Sequence, residues 1–329
     1  MIIRCRQPII TLIFLTLGIY LNGQSDSLFI FSKPAMGTMY QVFFYANKKV
    51  NTELISEKAF DRIRHLDDVL SDYKGNAEVY QLNLNQPLEW KNISKDLGFV
   101  LKKSIRWSRL TGQYFDPALG SLTHLWRRAR RRNEFPADSL QWIAKKYSGI
   151  QNIALRKKFN QYQFKFLLKG VKLDFGGIGK GYAVDEALKI LKKEGVPRAM
   201  VTAGSSLAVG KAPPFKEGWV IEPDLCIFPS FRKRFFKNTT QSISGDQQQF
   251  LTWEGKRYSH LLNPLTGMPL TNSSTCLVEG PNGMITDALG TAFSIMESNH
   301  ISKLLRNRKR IKVICKKGET LLEINLNDK

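Results

Sequence analysis

The chain has 329 residues, of which 43% are hydrophobic and 20 are phenylalanine, which excludes a disordered polymer and predicts a sizeable core. Lysine and arginine number 50 against 28 aspartates and glutamates, so the net charge is +22 and the positive field is strong. A nucleic-acid partner would call for groove-entering motifs or stacking aromatic residues together with the charge, and the export expected below argues against one, so we expect no nucleic-acid partner.

Residues 1–23 have the pattern of a secretory signal peptide. Arg4 and Arg6 precede the apolar run 9–21, and small and polar residues follow it. The run is shorter than the roughly 20 apolar residues of a membrane-spanning helix, so the pattern favours a cleaved signal over an uncleaved anchor. We therefore expect residues 24–329 to form one exported domain, located in the periplasm or at the outer face of the inner membrane.

The first half of that domain mixes one strand with several helices. Residues 40–45 have the composition of a strand, and residues 51–70 place apolar side chains at helical spacing. A second helix is predicted at 94–110, where Ser94 is suited to cap its start, and a third lies within 135–149.

The glycine-rich region begins with two predicted strands, at 162–168 and 171–175. A glycine-rich turn follows them, and then a helix that ends at Gly195. Short strands continue from Ala199 and are interrupted by a basic insert at 213–237.

The final segments predict a strand, a helix and a hairpin. The strand at 275–278 leads into the helix that carries Asp287 and Thr291, and residues 311–315 and 321–326 form the hairpin. Strands and helices in this irregular order predict an α+β fold with mixed sheets rather than a doubly wound sheet.

Removal of the signal leaves three cysteines, Cys226, Cys276 and Cys315. Three thiols cannot all pair within one chain. Cys276 and Cys315 both lie in apolar, strand-like segments, which favours two buried, unpaired cysteines.

The positive charge is concentrated in residues 127–132, 232–237 and 303–317. The sequence leaves three explanations open: contact with an anionic membrane surface, contact with an acidic protein or nucleotide, and a merely solvated surface.

Residues 176–181, Gly-Gly-Ile-Gly-Lys-Gly, stand at the start of a predicted helix, where backbone N–H groups can approach a phosphate. The spacing fits neither the dinucleotide fingerprint nor the Walker motif, so a plain tight turn stays open. Asp287 and Thr291 are four residues apart and share one helix face. A carboxylate and a hydroxyl are oxygen ligands that suit Mg²⁺, although both residue types are also common in structural roles.

Two further segments carry candidate chemistry. His260 precedes a turn rich in proline and glycine and could act as an acid, a base or a phosphate donor, or serve only the structure. Tyr114, Phe115 and Asp116 offer two aromatic faces and a carboxylate, which suit stacking on a heterocycle and hydrogen bonding to it.

The order of these segments resembles the ApbE family of FAD:protein FMN transferases. The resemblance implies an α+β, ApbE-like fold related to the T-fold, with mixed sheets, packed helices and a nucleotide cleft between the sheet regions. Seven segments match in family order, and together they are more specific than any one: 35–38, 70–83, 112–117, 173–185, 244–246, 260–269 and 287–291.

The resemblance also implies a set of site residues. His260 matches a family histidine that is linked to the transfer step. The main-chain oxygen of Ala183 would face Mg²⁺ together with Asp287 and Thr291. The residues that would line the flavin nucleotide are Met36, Tyr73, Tyr114, Phe115, Asp116 and Lys180.

The implied function is Mg²⁺-dependent transfer of FMN from FAD to a threonine or serine hydroxyl of an exported partner flavoprotein, with release of AMP. With water as the acceptor, the same site would be an FAD pyrophosphatase that gives FMN and AMP. Residues 204–206 are Gly-Ser-Ser where relatives often have Gly-Gly-Asp, which leaves open an FAD-binding protein without turnover.

Overall fold

A computed structural model describes residues 26–221, 234–245 and 249–326. The predicted signal peptide, the middle of the basic insert and Cys226 lie outside the described residues. Within these ranges, no helix is both long enough and apolar enough to cross a membrane.

The described chain contains helices and strands in irregular order. The helices are α1 (Thr52–Leu70), α2 (Glu78–Asn85), α3 (Lys95–Leu110), α4 (Gly120–Arg132), α5 (Asp138–Lys146), α6 (Gly179–Lys193), α7 (Gly283–Ile295) and α8 (Ser298–Leu305). The strands are β1 (Ser27–Ala35), β2 (Thr38–Ala46), β3 (Lys91–Ile93), β4 (Ile153–Lys158), β5 (Gln161–Phe166), β6 (Ala199–Ala203), β7 (Ser206–Val209), β8 (Trp219–Ile221), β9 (Arg234–Phe236), β10 (Thr239–Gly245), β11 (Phe250–Trp253), β12 (Lys256–Ser259), β13 (Ser274–Gly280), β14 (Lys312–Lys317) and β15 (Thr320–Ile324).

The central element is a sheet of eight strands in the order β1-β2-β6-β7-β10-β13-β14-β15. Every neighbouring pair in it is antiparallel. Three smaller sheets accompany it: β3-β5-β4, β11-β12 and β8-β9. The predicted α+β class with several sheets is therefore confirmed.

The main core lies between one face of the large sheet and the helices α1, α6 and α7. Helix α1 buries Ile55, Phe60, Ile63 and Leu66, which recur at the spacing of a helix with one apolar face. Helix α6 packs against both α1 and α7, and its first residues approach the first residues of α7.

The other face of the sheet is covered by the described ends of the basic insert. Strands β8 and β9 pair there as antiparallel neighbours, and Trp219 and Phe236 are buried against Met200 and Leu277. A third apolar cluster joins α4 and α5 to the β11-β12 hairpin around the buried Trp126. That cluster fixes the hairpin that precedes His260.

Several predicted elements agree with the structure because local signals define them. Asn51 caps α1 by accepting a bond from the Leu54 N–H, and Ser94 caps α3 by accepting one from Leu97. The terminal hairpin is β14 and β15. Helices α2 and α4 were not predicted, and α4 contains most of the arginine-rich segment.

Two predictions are wrong. Residues 171–175 form no strand, because Asn83 bonds both the N–H and the carbonyl of Leu173 and takes the place of a strand partner. Cys276 and Cys315 are not unpaired thiols: they are directly opposite on β13 and β14 and form a disulfide. Because 39 residues separate the two cysteines, no local sequence pattern indicates that they are in contact.

Candidate functional site

The glycine-rich turn and the start of α7 come into direct contact. Oδ2 of Asp287 accepts a hydrogen bond of 2.9 Å from the backbone N–H of Gly181. A Cβ at Gly181 would lie 2.0 Å from the carbonyl oxygen of Gly283, and one at Gly177 would lie 2.8 Å from Oγ1 of Thr291. Gly181 requires glycine because it lies against the backbone of α7, whereas a Cβ at Gly177 would displace the Thr291 side chain.

Two of the metal-ligand candidates, Asp287 and Thr291, therefore lie against the glycine-rich turn, and the part of Ala183 as a ligand stays a prediction. Asp287 is 6% exposed, Thr291 lies one turn further along α7, and Ala183 is buried on α6 two residues after Gly181. No group of three or more histidine, cysteine, aspartate or glutamate side chains that could hold a metal occurs in the described ranges. The donor set is instead one carboxylate with neutral oxygens, which suits a hard cation that keeps several water ligands.

Tyr40 links the β1-β2 turn to these residues. Its hydroxyl lies 3.1 Å from Sδ of Met36, and the ring is fully buried. Burial raises the pKa of Tyr40 strongly, and the negative charges of Asp287 and Asp67 raise it further. Both carboxylates are therefore close enough for their charges to act on this hydroxyl.

Asp67 is a site candidate that sequence reasoning missed. It lies on α1, and its Oδ1 is buried without a hydrogen-bond partner among the described residues. Its Oδ2 is 3.8 Å from Nζ of Lys74. An unsatisfied buried carboxylate oxygen beside Tyr40 is one that a cation or a donor group of a ligand could satisfy.

Tyr73 stands on the rim of this site. It is 58% exposed, and its hydroxyl would be 3.6 Å from a Cβ at Gly37, the residue after Met36. Burial of its hydroxyl and the nearby charge of Asp67 raise the pKa of Tyr73. The side chain is available for contact with a ligand.

An ion-pair network holds the Tyr73 loop against the glycine-rich turn. Asp72 accepts bonds of 2.8 Å from both His124 and Arg127, and Arg127 also lies 3.2 Å from Asp174. The other oxygen of Asp174 accepts from the N–H of Gly176. Burial raises the pKa of Asp72, but the bonds from His124 and Arg127 outweigh it and leave that pKa below its ordinary value.

Of the three residues in the 114–116 segment, one is partly exposed and two are buried. Tyr114 is partly exposed, whereas Phe115 is buried, and its Cε2 would be 3.4 Å from a Cβ at Gly177. The carboxylate oxygens of Asp116 accept bonds from the N–H groups of Ala118 and Ile150. Burial raises the pKa of Asp116 to about 6 in spite of these two donors. The structure therefore gives Asp116 a role in shaping the turn, and its contact with a flavin stays a prediction.

Lys180 lies in the first turn of α6, where its Nζ donates to the carbonyl of Gly176 at 3.0 Å. The ammonium group is thus held across the glycine-rich turn. Most backbone N–H groups here already have acceptors: that of Gly176 bonds Asp174, those of Ile178 and Gly179 bond the Phe175 carbonyl, and that of Gly181 bonds Asp287. The ammonium group and the N–H groups of Gly177 and Lys180 therefore form the positive site that suits a phosphate.

His260 follows β12 directly. Its backbone N–H donates to the carbonyl of Gln249 at 2.8 Å, and its Nδ1 is 3.3 Å from the same oxygen. The following turn is tied to α4 and α5, since Trp126 donates to the carbonyl of Gly267 and Lys145 to that of Pro264. The link from His260 to the rest of the site therefore runs through α4, which carries His124 and Arg127.

The residues that replace the family's Gly-Gly-Asp form the β6-β7 turn, Gly204 and Ser205, and the first residue of β7, Ser206. Ser206 is fully buried, and its hydroxyl is 3.2 Å from that of Ser242, which in turn bonds Thr286 on α7. The buried hydroxyl groups thus satisfy one another's hydrogen bonds, and no carboxylate is needed at this position.

Comparisons with known proteins agree with the resemblance seen in the sequence. The model of the ApbE family matches residues 36–315. An FAD:protein FMN transferase from Chlamydia muridarum is 28% identical over 279 residues, which cover 83% of this chain and 86% of that protein. One with the same name from Escherichia coli K12 is 22% identical over 303 residues, covering 87% and 83%.

Solved structures share the fold. The crystal structure of the ApbE protein from Thermotoga maritima has a TM-score of 0.76 at 24% identity and covers 89% of this chain and 97% of that one. The flavin transferase ApbE from Vibrio cholerae has a TM-score of 0.78 at 22% identity, covering 91% and 97%.

Proposed function

The chain belongs to the ApbE family, and from that premise we propose that it is an FAD:protein FMN transferase. In this proposal it moves FMN from FAD to a threonine or serine hydroxyl of an exported flavoprotein and releases AMP. The observation that carries the proposal is the contact of Asp287 and Thr291 with the glycine-rich turn, which combines oxygen ligands with a phosphate-binding helix start.

The residues present fit a magnesium ion. The carboxylate of Asp287, the hydroxyl of Thr291 and the main-chain oxygen of Ala183 would hold it, and the unsatisfied Oδ1 of Asp67 adds negative charge nearby. When bound, Mg²⁺ would neutralise diphosphate oxygens and so favour attack at phosphorus.

The protein's own groups orient the substrate and move one proton. The backbone N–H groups of Gly177 and Lys180 and the ammonium group of Lys180 bind phosphate oxygens, while Met36 and Tyr73 line the flavin nucleotide. A proton on Nδ1 of His260, donated to the Gln249 carbonyl, leaves Nε2 as the basic nitrogen. Nε2 then accepts the proton of the acceptor hydroxyl.

The transfer step is a substitution at phosphorus. The acceptor oxygen forms a bond to the phosphorus of the FMN moiety, the bond between that phosphorus and the bridging diphosphate oxygen breaks, and AMP leaves with the bridging oxygen. The product is FMN joined to the acceptor by a phosphoester. With water in place of the hydroxyl, the same substitution gives free FMN and AMP.

Export of the domain is part of the proposal. The pattern of residues 1–23 supports it, and so does the Cys276–Cys315 disulfide, because disulfides persist in oxidising compartments. An exported enzyme requires an exported acceptor.

The experiment combines residues 24–329 with FAD, Mg²⁺ and a panel of exported flavoprotein domains. Flavin fluorescence of denatured protein in gels detects covalent transfer, and chromatography measures FMN and AMP. Labelled acceptor with one AMP for each FMN supports transfer, and EDTA should abolish it. FMN and AMP without a labelled acceptor would instead indicate a pyrophosphatase, and bound, intact FAD would indicate a protein without turnover.

A further inference from the structure

The C-terminal half of α4 and the start of β11 border a shallow, open notch of about 310 Å³ that the proposed chemistry does not use. It is lined by Arg127, Arg130, Arg131, Gln249 and Phe250. Three of these five residues are arginines, and no acidic side chain of the described ranges lines the notch.

The positive charge of the notch is only partly compensated. Arg127 is paired with Asp72 and Asp174. Within residues 26–221, 234–245 and 249–326, the guanidinium groups of Arg130 and Arg131 form no hydrogen bond or ion pair. Burial lowers the pKa of Arg130, and the neighbouring charges of Arg127 and Arg131 lower it further. A bound anion would relieve this repulsion.

The notch adjoins His260 on one side and the ion-pair network beside the glycine-rich turn on the other. Gln249, on its wall, supplies the carbonyl oxygen that accepts from the backbone N–H of His260. On the other side, Arg127 reaches Asp72, the residue before Tyr73, and Asp174 beside the glycine-rich turn. A chain segment bound in the notch therefore lies next to the residues that are proposed to bind FAD and to act in FMN transfer.

The composition of the notch favours a polypeptide. Planar guanidinium groups bind carboxylates through two parallel hydrogen bonds, and Arg130 and Arg131 place two such groups side by side at the notch. Phe250 is 44% exposed, and the Arg257 guanidinium lies 4.2 Å from its ring centre, so the rim also offers an apolar contact. A lipid surface would engage the outward-facing Arg128 and Arg132 as readily.

We propose that this arginine notch docks an acidic segment of the acceptor protein, next to the hydroxyl that receives FMN. The proposal rests on the proposed function, because it assumes a protein acceptor. It assigns to Arg130 and Arg131 a role in acceptor selection and none in FAD binding.

The test uses residues 24–329 and two fluorescein-labelled peptides, one rich in aspartate and one in which asparagine replaces each aspartate; both contain a threonine. We expect the acidic peptide to bind at least about tenfold more tightly, with an affinity that falls as salt rises. The Arg130→Ala/Arg131→Ala variant should lose this preference while its affinity for FAD stays within about twofold. Arg128→Ala/Arg132→Ala removes the same charge from the same helix outside the notch, and it should keep the preference.

Equal binding of the two peptides, or equal loss in both double variants, would overturn the proposal, since either result means diffuse attraction or none. Binding to phosphatidylserine vesicles that is lost only in the Arg130→Ala/Arg131→Ala variant, without a peptide preference, would assign the notch to lipid and overturn it as well. Peptide binding needs no turnover, so failure of the proposed function appears separately, as absence of FMN transfer in the acceptor screen.

Discussion

Asp287 accepts a hydrogen bond of 2.9 Å from the backbone N–H of Gly181, although 106 residues separate the two in the chain. This bond fixes one carboxylate oxygen and joins the start of α6 to α7. The same carboxylate therefore has two functions, one in holding the helices together and one in the proposed binding of a cation.

Replacement of Asp287 can separate these two functions. Asp287→Asn keeps an oxygen that can accept from Gly181 but removes the negative charge, so we expect turnover to fall by about 100-fold or more with little loss of stability. Asp287→Ala leaves the buried N–H without an acceptor and should also cost about 1–3 kcal/mol of stability. Magnesium titrations of activity and thermal unfolding of both variants check this. Near-normal activity of the asparagine variant would contradict the metal assignment.

Gly181→Ala should destabilise the protein, because its Cβ would meet the carbonyl oxygen of Gly283 at 2.0 Å and force α6 and α7 apart. The expected cost is about 1–3 kcal/mol. Unfolding in guanidinium chloride measures it, with Gly75→Ala as the matched control, since a Cβ at Gly75 meets nothing within 4 Å. Equal stability of the two variants would show that α6 and α7 can move apart at this contact with little cost in free energy.

His260→Ala should lower the rate of FMN transfer more than the affinity for FAD. Loss of a general base reduces rates by about 10²–10⁴-fold, whereas FAD is bound mainly through other residues. Single-turnover transfer and FAD titration measure the two effects, and His300→Ala, at an exposed position on α8, is the control. Parallel losses of rate and affinity would make His260 a nucleotide contact instead.

The fold was predictable where a local pattern defines an element, as with the apolar stripe of α1 and the cap at Ser94. The candidate site was predictable as far as its motifs extend, and the structure brings Asp287, Thr291 and the glycine-rich turn together. The network of Asp72, His124, Arg127 and Asp174 was missed, because its members are ordinary surface residue types whose contact depends on the tertiary fold.

Asp116 should make stability depend on pH. Its folded-state pKa is raised from 3.8 to about 6, so between about pH 4 and pH 6 the native state binds more protons than the unfolded state, and stability falls as the pH rises. The free energy of unfolding of the wild-type chain relative to Asp116→Asn should fall by up to about 3 kcal/mol over that range. Asp185, whose pKa is also raised to about 6, is present in both chains and cancels in the comparison. A difference that does not change with pH would mean that Asp116 stays ionised.

The disulfide between Cys276 and Cys315 joins neighbouring strands of the large sheet, and β13 leads towards α7, the helix that carries Asp287. Because the bond closes a long loop in the unfolded chain, its reduction should lower stability by about 2–4 kcal/mol. The Cys276→Ala/Cys315→Ala variant should show the lower stability with or without reductant. Cys226→Ser, the matched control, should keep the response to reductant.

In denaturant, residues 24–329 purified from an oxidising compartment should expose one reactive thiol before reduction and three after it. Three reactive thiols before reduction would show that Cys276 and Cys315 are not joined by a disulfide. That result would also remove the disulfide as one of the two observations that support export.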